Sequence, residues 1–238
     1  MSIQTQESNP RHFLLYNETT YLPQLYNAVN EGKLIFQLSD LSPIKPYLGL
    51  AMGQDLRSDD QVIYNDNHVT PLAGIRYAPR DLPLGLYLEF RQNLRVIRPP
   101  TIRDFSQGDL RLGAYIYQWF DLTPNHSFSR LFQEIYGEML FTSALQNNLI
   151  AQGWLKQGVR GKIHQQVNLD SYLEFAGTAD RTGNPDFNLL YVDLGIRANL
   201  RVNSILTQLI VKKPLAWFAG PPSLAFPWSA QLVFSGEF

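Results

Sequence analysis

The feature that most constrains the fold is a period-two alternation of apolar and polar residues over long segments. From 190 to 200, every even position is leucine, isoleucine, valine or alanine, and every odd position is polar, aromatic or glycine. Successive side chains of a β-strand point to opposite faces, whereas an α-helix would mix these two sets. The same alternation occurs over 84–90 and 167–175. The pattern therefore predicts β-strands with one apolar and one polar face.

Long strands and unequal connections are the second signal. The alternation predicts ten strands, at 46–56, 69–78, 84–96, 108–120, 131–144, 148–160, 166–178, 187–202, 205–217 and 226–238. Most contain ten residues or more, whereas globular strands average about five or six and membrane-crossing strands need roughly 9–11. Alternate links are short and the others are mostly long, as in outer-membrane barrels. Two links break this rule, because 145–147 is short and 121–130 is long.

The first 45 residues have a weaker pattern. Residues 19–31 are compatible with a short helix, and 12–16 and 34–38 are compatible with two further strands, which would give twelve. The expected organisation is an N-terminal segment over 1–45, either a periplasmic or plug segment or an extra hairpin, followed by a transmembrane β-barrel over 46–238. The sequence leaves that choice open.

Composition excludes several classes of protein. Charged residues form only 17% of the chain and aromatic residues form 13%, which favours β-structure over disorder. A net charge of -1 without a basic cluster gives no electrostatic case for nucleic-acid binding. The chain has no cysteine, which excludes disulfides, thiolate metal sites and cysteine nucleophiles. No apolar stretch approaches the ~20 residues of a membrane-spanning helix. Residues 1–6 lack the features of a secretory signal, so we expect a cytoplasmic protein or a mature or truncated form.

The charged face decides between a soluble β-sandwich or lipocalin-like barrel and a membrane barrel. Lysine would dominate the exterior of a soluble sandwich, but arginine, glutamate, aspartate and tyrosine dominate here, which suits a lumen crossed by paired charges. The prediction is an all-β fold, a transmembrane antiparallel up-and-down β-barrel of 10–12 strands in the bacterial outer membrane. Its predicted lumen-lining residues are Arg76, Glu89, Arg91, Arg111, Glu134, Glu138, Lys156, Arg160, Asp170, Glu174, Asp193, Arg197 and Arg201.

Two further expectations concern the wall and the interior. Aromatic residues near strand ends are expected to form the two interfacial girdles, namely Tyr77, Trp119, Phe120, Trp217, Phe218, Trp228 and Phe238. Antiparallel pairing of 166–178 with 187–202 is expected to bring Asp170 and Glu174 close to Arg197 and Arg201. A barrel of this size fills much of its interior with side chains, so bulk diffusion requires an eccentric path.

The last strand resembles a known signal. Its outward face ends on an aromatic residue and consists of Trp228, Ala230, Leu232, Phe234, Gly236 and Phe238. This resembles the C-terminal insertion signal of bacterial outer-membrane β-barrels, carried here by Trp228, Leu232, Phe234 and Phe238. The resemblance implies recognition by the outer-membrane assembly machinery and a periplasmic C-terminus. Gly236 departs from it, since a large residue is common at that position.

A second resemblance is to the C-terminal barrels of exopolysaccharide-secretion outer-membrane proteins and a related phage-adsorption receptor. It is carried by PYLGLA at 46–51, PLAGIR at 71–76, YLEF at 172–175 and VDLGIR at 192–197. The resemblance implies export of polysaccharide. Those exporters carry a helical-repeat region before the barrel, and residues 1–45 are too short to form one.

Candidate catalytic and metal residues are few. The four histidines, His12, His68, His126 and His164, show no zinc-site spacing. A hydrolase built on His126 with Ser127 or Ser129 would lie in a link on the periplasmic side. The loop with Asp59, Asp60, Asp66 and His68 resembles the acid pairs of omptin-type proteases, but all four residues lie on one loop, so a solvated loop that binds a divalent ion weakly is the better account. No catalytic residue, metal or cofactor is predicted.

Two functions stay open at this point. One is a narrow polar conduit for transport or export, with polysaccharide as a candidate substrate. The other is a closed barrel that serves as a membrane anchor or a recognition protein through its external loops, and an outer-membrane hydrolase is a distant third. The expected partners are the lipid bilayer, lipopolysaccharide and the assembly machinery, and nucleic acid is not among them.

Overall fold

The computed structural model describes residues 13–22, 27–38, 43–55, 68–79, 82–92, 94–95, 108–123, 129–143, 147–183, 188–219 and 228–238. The strands in these residues are β1 (Phe13–Leu22), β2 (Asn27–Gln37), β3 (Ile44–Asp55), β4 (His68–Tyr77), β5 (Leu84–Gln92), β6 (Leu94–Arg95), β7 (Gly108–Asp121), β8 (Ser129–Thr142), β9 (Asn148–His164), β10 (Val167–Asp180), β11 (Leu189–Val202), β12 (Ile205–Ala219) and β13 (Ser229–Glu237). No helix in this part of the chain has the length and hydropathy to span a bilayer. The predicted all-β fold is confirmed.

The strands form a closed antiparallel ring. Apart from the two-residue β6, each strand pairs with the next one along the chain, and β1 pairs with β13, from Leu14↔Glu237 to Tyr21↔Ala230. The two-residue β6 continues β5 and pairs with the start of β4, so the ring contains twelve long strands. Reciprocal backbone hydrogen bonds of 3.1 and 2.9 Å between Phe13 and Phe238 extend the seam to the last residue. The predicted up-and-down barrel of 10–12 strands is confirmed.

The two ends of the barrel differ in their links. We call the end that holds Phe13 and Phe238 the terminus end and the opposite end the loop end. Links at the terminus end include 165–166 and 203–204, and links at the loop end include 56–67 and 181–188. The short 143–147 link lies at the loop end and the longer 122–128 link at the terminus end, as the sequence indicated.

The barrel is apolar outside and polar inside. On β11, Leu194 and Ile196 are 40% and 51% exposed, whereas Asp193 and Arg197, which flank this pair, are 7% and 4% exposed. The largest fully buried side chains include glutamates and aspartates, and large aliphatic and aromatic residues are exposed on the outer face of the strands. A soluble sandwich would have the opposite arrangement. A closed barrel with an apolar exterior satisfies its backbone within the sheet and places its side chains correctly for the bacterial outer membrane.

Aromatic residues cluster at both ends of the lipid-facing surface. Tyr77, Phe120, Phe218, Trp228 and Phe238 are exposed near strand ends, as expected for girdles. The expectation is wrong for Trp119 and Trp217. Trp119 stacks on Phe132 with a centroid distance of 4.6 Å, and Trp217 stacks on Tyr191 at 5.3 Å, both inside the barrel. Each tryptophan precedes an exposed phenylalanine, and adjacent strand residues face opposite sides.

The described part of the N-terminal segment belongs to the barrel wall. β1 and β2 form a hairpin that lies between β13 and β3, with Phe13↔Phe36 and Leu22↔Asn27 as its outermost pairs. The predicted helix over 19–31 is wrong for the described residues 19–22 and 27–31, which are strand. The β-branched and aromatic run Thr19-Thr20-Tyr21 favours strand, and a proline at 23 disfavours a continuous helix. The expected domain boundary at residue 46 falls within β3.

Candidate functional site

The predicted lumen residues lie on the inward face of the barrel at different depths. Arg201 is exposed at the terminus end of β11. The partly exposed members are Arg76, Arg91, Arg111, Glu138 and Arg160, and the buried members are Glu89, Glu134, Lys156, Asp170, Glu174, Asp193 and Arg197. Their role as a functional lumen stays a prediction. Their contacts divide the interior into two halves of different character.

Half of the interior is filled, and we call it the packed half. It lies along β8 to β13 and contains the cluster of Phe132, Tyr172, Ile210 and Val233, with Trp119 packed against it. The guanidinium of Arg160 lies 4.3 Å from the centre of the Trp119 ring. Stacked rings and a cation over their faces leave little space, so this half is closely packed and supports the barrel wall.

Asp170 is the centre of the packed half. Its side chain is fully buried and accepts hydrogen bonds from Arg160 Nε and Nη2 at 2.8 and 2.9 Å, from Arg197 Nε at 2.9 Å, and from Asn199 Nδ2 at 3.0 Å. These donors come from β9 and β11, the two strands that flank β10. A buried carboxylate is tolerable only with such complete compensation.

A second set of ion pairs extends the network across strands. Arg197 Nη1 lies 3.1 Å from Glu134 Oε2, and Glu174 lies 2.8 Å from Lys212 Nζ and 3.7 Å from Lys156 Nζ. The expected contact of Asp170 with Arg197 is present at 2.9 Å. The expected contact of Glu174 with an arginine of β11 is not formed in the described residues, because the register places Glu174 opposite Asp193 and Lys156.

The other half of the interior contains a cavity of about 710 Å³, and we call it the open half. Its lining comes from β1 to β5, from β7, and from the loop-end parts of β8 and β9. Gly53, His68 and Gln152 lie on the loop-end side of it, and Leu14 and Gln37 lie at the terminus end. Along β2 the lining runs from Glu31 to Gln37, and six residues at ~3.3 Å each correspond to roughly 20 Å of strand. The cavity therefore follows the barrel lengthwise.

Tyrosines line the open half and lie flat on its wall. Each covers the glycine that faces it in the neighbouring strand: Tyr87 covers Gly113, Tyr115 covers Gly85 and Tyr47 covers Gly74. A methyl group placed on those glycines would lie only 2.2 to 2.6 Å from the ring atoms. The absence of a side chain on these glycines thus makes room for the rings, which aim their hydroxyl groups along the wall.

Two carboxylates organise the hydroxyl groups and cations of the open half. Glu89, fully buried, accepts from Tyr47 Oη at 2.8 Å and Lys33 Nζ at 3.0 Å, and from Arg91 Nε. Glu138 accepts from Tyr87 Oη at 2.6 Å, Tyr136 Oη at 2.8 Å and Gln152 Nε2 at 2.6 Å. Lys33 and Glu89 belong to β2 and β5, two strands that are not neighbours in the sheet. This ion pair therefore crosses the barrel interior from one strand to the other.

Several important residues were not predicted from the sequence. Lys33 lies in the segment whose strands were left open, and Lys212 is next to Lys213, so alternation alone did not show which lysine faces inward. Asp109 could have been found, because it shares the phase of Arg111, two residues further along β7, to which it is bonded at 2.5 Å. Tyr47 likewise shares the inward phase of β3.

The candidate catalytic residues contribute no assembled site in the described residues. His12, Asp59, Asp60, Asp66, His126 and Ser127 lie outside the described residues. His68 lines the cavity near the loop end, His164 is exposed at the end of β9, and Ser129 begins β8. Within the described ranges, no three His, Asp or Glu side chains are placed to hold a metal ion.

The predicted insertion signal occupies the lipid-facing side of β13 and its flanks. Trp228, Leu232, Phe234 and Phe238 are exposed there by 37 to 50%. The ring of Phe238 lies over Gly236, where an added methyl group would come within 2.9 Å of it. A large residue at 236 would compete with that ring for space. Recognition by the assembly machinery stays a prediction.

No family model matches the sequence, and no curated protein matches it. Among solved structures the barrel is similar to an outer-membrane channel from Pseudomonas putida F1, with 13% identity, 100% of both chains covered and a TM-score of 0.47. It is also similar to the β domain of the Bordetella autotransporter BrkA, with 13% identity, 95% and 98% coverage and a TM-score of 0.48. The KdgM porin follows with 7% identity, 94% and 99% coverage and a TM-score of 0.42. Similarity this distant says nothing about what the chain carries, so its function has to come from its own residues.

Proposed function

We propose that the protein is a narrow polar conduit that carries hydrophilic solutes across the bacterial outer membrane through the open half of the barrel. The observation that supports this proposal is the 710 Å³ cavity, whose lining extends from residues near the loop end to Leu14 and Gln37 at the terminus end. A fully plugged barrel of this size would fill both halves with side chains. The packed half braces the wall and leaves the cavity off-centre.

Extended saccharide chains are the finer candidate substrate. Tyr16, Tyr47, Tyr87, Tyr115 and Tyr136 all line the cavity. Aromatic rings offer flat apolar faces for sugar rings, and hydroxyl and amide groups beside them exchange hydrogen bonds with sugar hydroxyls. A series of such contacts lets a chain slide, because each contact is weak and the next one is near.

The ion-pair network favours a second candidate function. Buried ion pairs link β8, β10, β11 and β12 across the packed half, an arrangement that suits a barrel serving as a rigid anchor. In this candidate the cavity does not conduct, and the protein acts through its external loops. This candidate predicts an intact barrel with no ion current.

Single-channel recording in planar bilayers separates the two candidates. We expect discrete current steps from the purified barrel. Ala51 lines the cavity and Ala73 is exposed on the lipid face of β4, so Ala51→Trp should reduce the step size while Ala73→Trp should not. Folded barrels of all three chains, checked by heat-dependent gel migration, that give no current would refute the conduit and support the anchor. Equal currents in both variants would show that ions take another path.

A further inference from the structure

The described ion pairs of the open half share one orientation toward the cavity. The side chains of Lys33, Arg91 and Arg111 are 30%, 18% and 27% exposed. The carboxylates that they bind, Glu89 and Asp109, are 0% and 1% exposed. A solute in the cavity therefore meets N–H donors, while the compensating negative charge lies behind them.

Arg76 adds a cation of a different kind. Its Nη2 donates to Gln37 Oε1 at 3.3 Å near the terminus end, and no carboxylate of the described ranges lies within ion-pair distance of it. Among the described residues, four cationic side chains thus line the cavity, against two carboxylates, those of Glu31 and Glu138. Both oxygens of Glu138 already accept hydrogen bonds from tyrosine and glutamine side chains.

The four cations are distributed along the cavity. Arg111 lies on β7 and Arg91 on β5, both near the loop end, Lys33 lies midway along β2, and Arg76 is one residue from the terminus end of β4. Glu89 and Asp109 hold three of them in fixed positions, so a solute does not have to order them when it binds. The same carboxylates weaken the attraction, which allows release.

We propose that the conduit prefers anionic hydrophilic solutes, such as sugars that carry carboxylate groups, with Arg111, Arg91, Lys33 and Arg76 as successive contacts. The proposal rests on the proposed conduit function and specifies its substrate class. Guanidinium groups donate paired hydrogen bonds to carboxylates and other oxyanions, which a neutral sugar cannot match. Neutral solutes retain the tyrosine contacts and single hydrogen bonds, but they lack the paired, charge-assisted hydrogen bonds.

Ion selectivity tests the charge preference on the intact barrel. In a potassium chloride gradient at low salt, we expect the reversal potential to show chloride permeating more readily than potassium. A unit charge ~5 Å from an ion in water changes its local population roughly fourfold before screening. Loss of the Arg76 charge would lower the chloride population and raise the potassium population by up to that factor each, so Arg76→Gln should lower the chloride-to-potassium permeability ratio by up to about sixteenfold. Arg130→Gln is the matched control, because Arg130 binds Asp121 on the surface at 3.1 Å and does not line the cavity.

Solute uptake tests the chemical class. Liposomes that contain the barrel should take up glucuronate faster than glucose, two sugars of similar size that differ by one carboxylate, and Arg76→Gln should reduce that difference. Uptake of glucose at the same rate or faster, in a barrel that conducts, refutes the anionic preference and leaves the conduit intact. No current and no uptake of either sugar refutes the conduit, and the preference falls with it. An equal reduction of the difference between glucuronate and glucose uptake in Arg76→Gln and Arg130→Gln would assign the effect to the total charge of the barrel. That result would refute Arg76 as a specific contact.

Discussion

Asp170→Asn should destabilise the barrel far more than the same substitution at a surface ion pair. Asp170 is fully buried and accepts four hydrogen bonds, three of them from the guanidinium groups of Arg160 and Arg197. An asparagine keeps one acceptor but presents an amide N–H₂ to these donors and removes the compensating charge. The side chain of Arg197 is only 5% exposed and would retain Glu134 at 3.1 Å as its remaining carboxylate.

The magnitude follows from the burial of the partners. Removing one member of a buried ion pair costs about 3–5 kcal/mol, because the other charge is left in a poorly solvated place. Asp121→Asn is the matched control: Asp121 and Arg130 form a pair at 3.1 Å with side chains 38% and 50% exposed. Exposed pairs of this kind contribute about 0–1 kcal/mol. The expected difference between the two variants is therefore about 2–5 kcal/mol in the free energy of unfolding.

Urea titration of barrels refolded in lipid vesicles, followed by tryptophan fluorescence and by heat-dependent gel migration, measures this difference. Trp119 contacts Arg160 and therefore reports on the packed half directly. If Asp170→Asn unfolds within about 1 kcal/mol of Asp121→Asn, the packed half is hydrated, and the distinction between a bracing half and an open half is wrong.

Three other predictions follow from the same contacts. Deleting Phe238 removes its two backbone hydrogen bonds to Phe13 and should reduce membrane insertion, measured as the heat-modifiable fraction; equal insertion of both chains would contradict the seam. Leu194→Arg, on the lipid face, should cost about 2–4 kcal/mol near the bilayer midplane, and normal folding of this variant in lipid would mean that the two faces are reversed. Glu174→Gln leaves Lys212 and Lys156 without their shared carboxylate and should cost about 3–5 kcal/mol if that site is dry; unchanged urea stability would indicate a hydrated site.

The alternation of apolar and polar residues was enough to predict most of the fold, because one face of every strand contacts lipid and the other faces the interior. It also predicted that Asp170 and Arg197 face inward and pair with each other, since both features follow from strand phase and register alone. It could not separate the two halves, because that division depends on how far side chains reach across strands. Lys33 contacts Glu89, 56 residues away, and Lys212 of β12 reaches across β11 to Glu174 of β10. The register of β12 is irregular near Pro214, so the alternation did not show that Lys212 faces inward.

Because tyrosine rings lie over glycines, the width of the cavity depends on the residues behind the rings that line it. Gly113 has no side chain to project into the lumen, yet any side chain there would force the ring of Tyr87 off the wall, since the atoms in the way are the movable end of that ring. The displaced ring would swing inward and take its hydroxyl away from Glu138. Alanine at one of these glycines would therefore narrow the cavity at that point. Substitutions at different glycines would narrow it at different depths. A methyl group behind an existing lining residue would thus change the width of the cavity without any new lining residue.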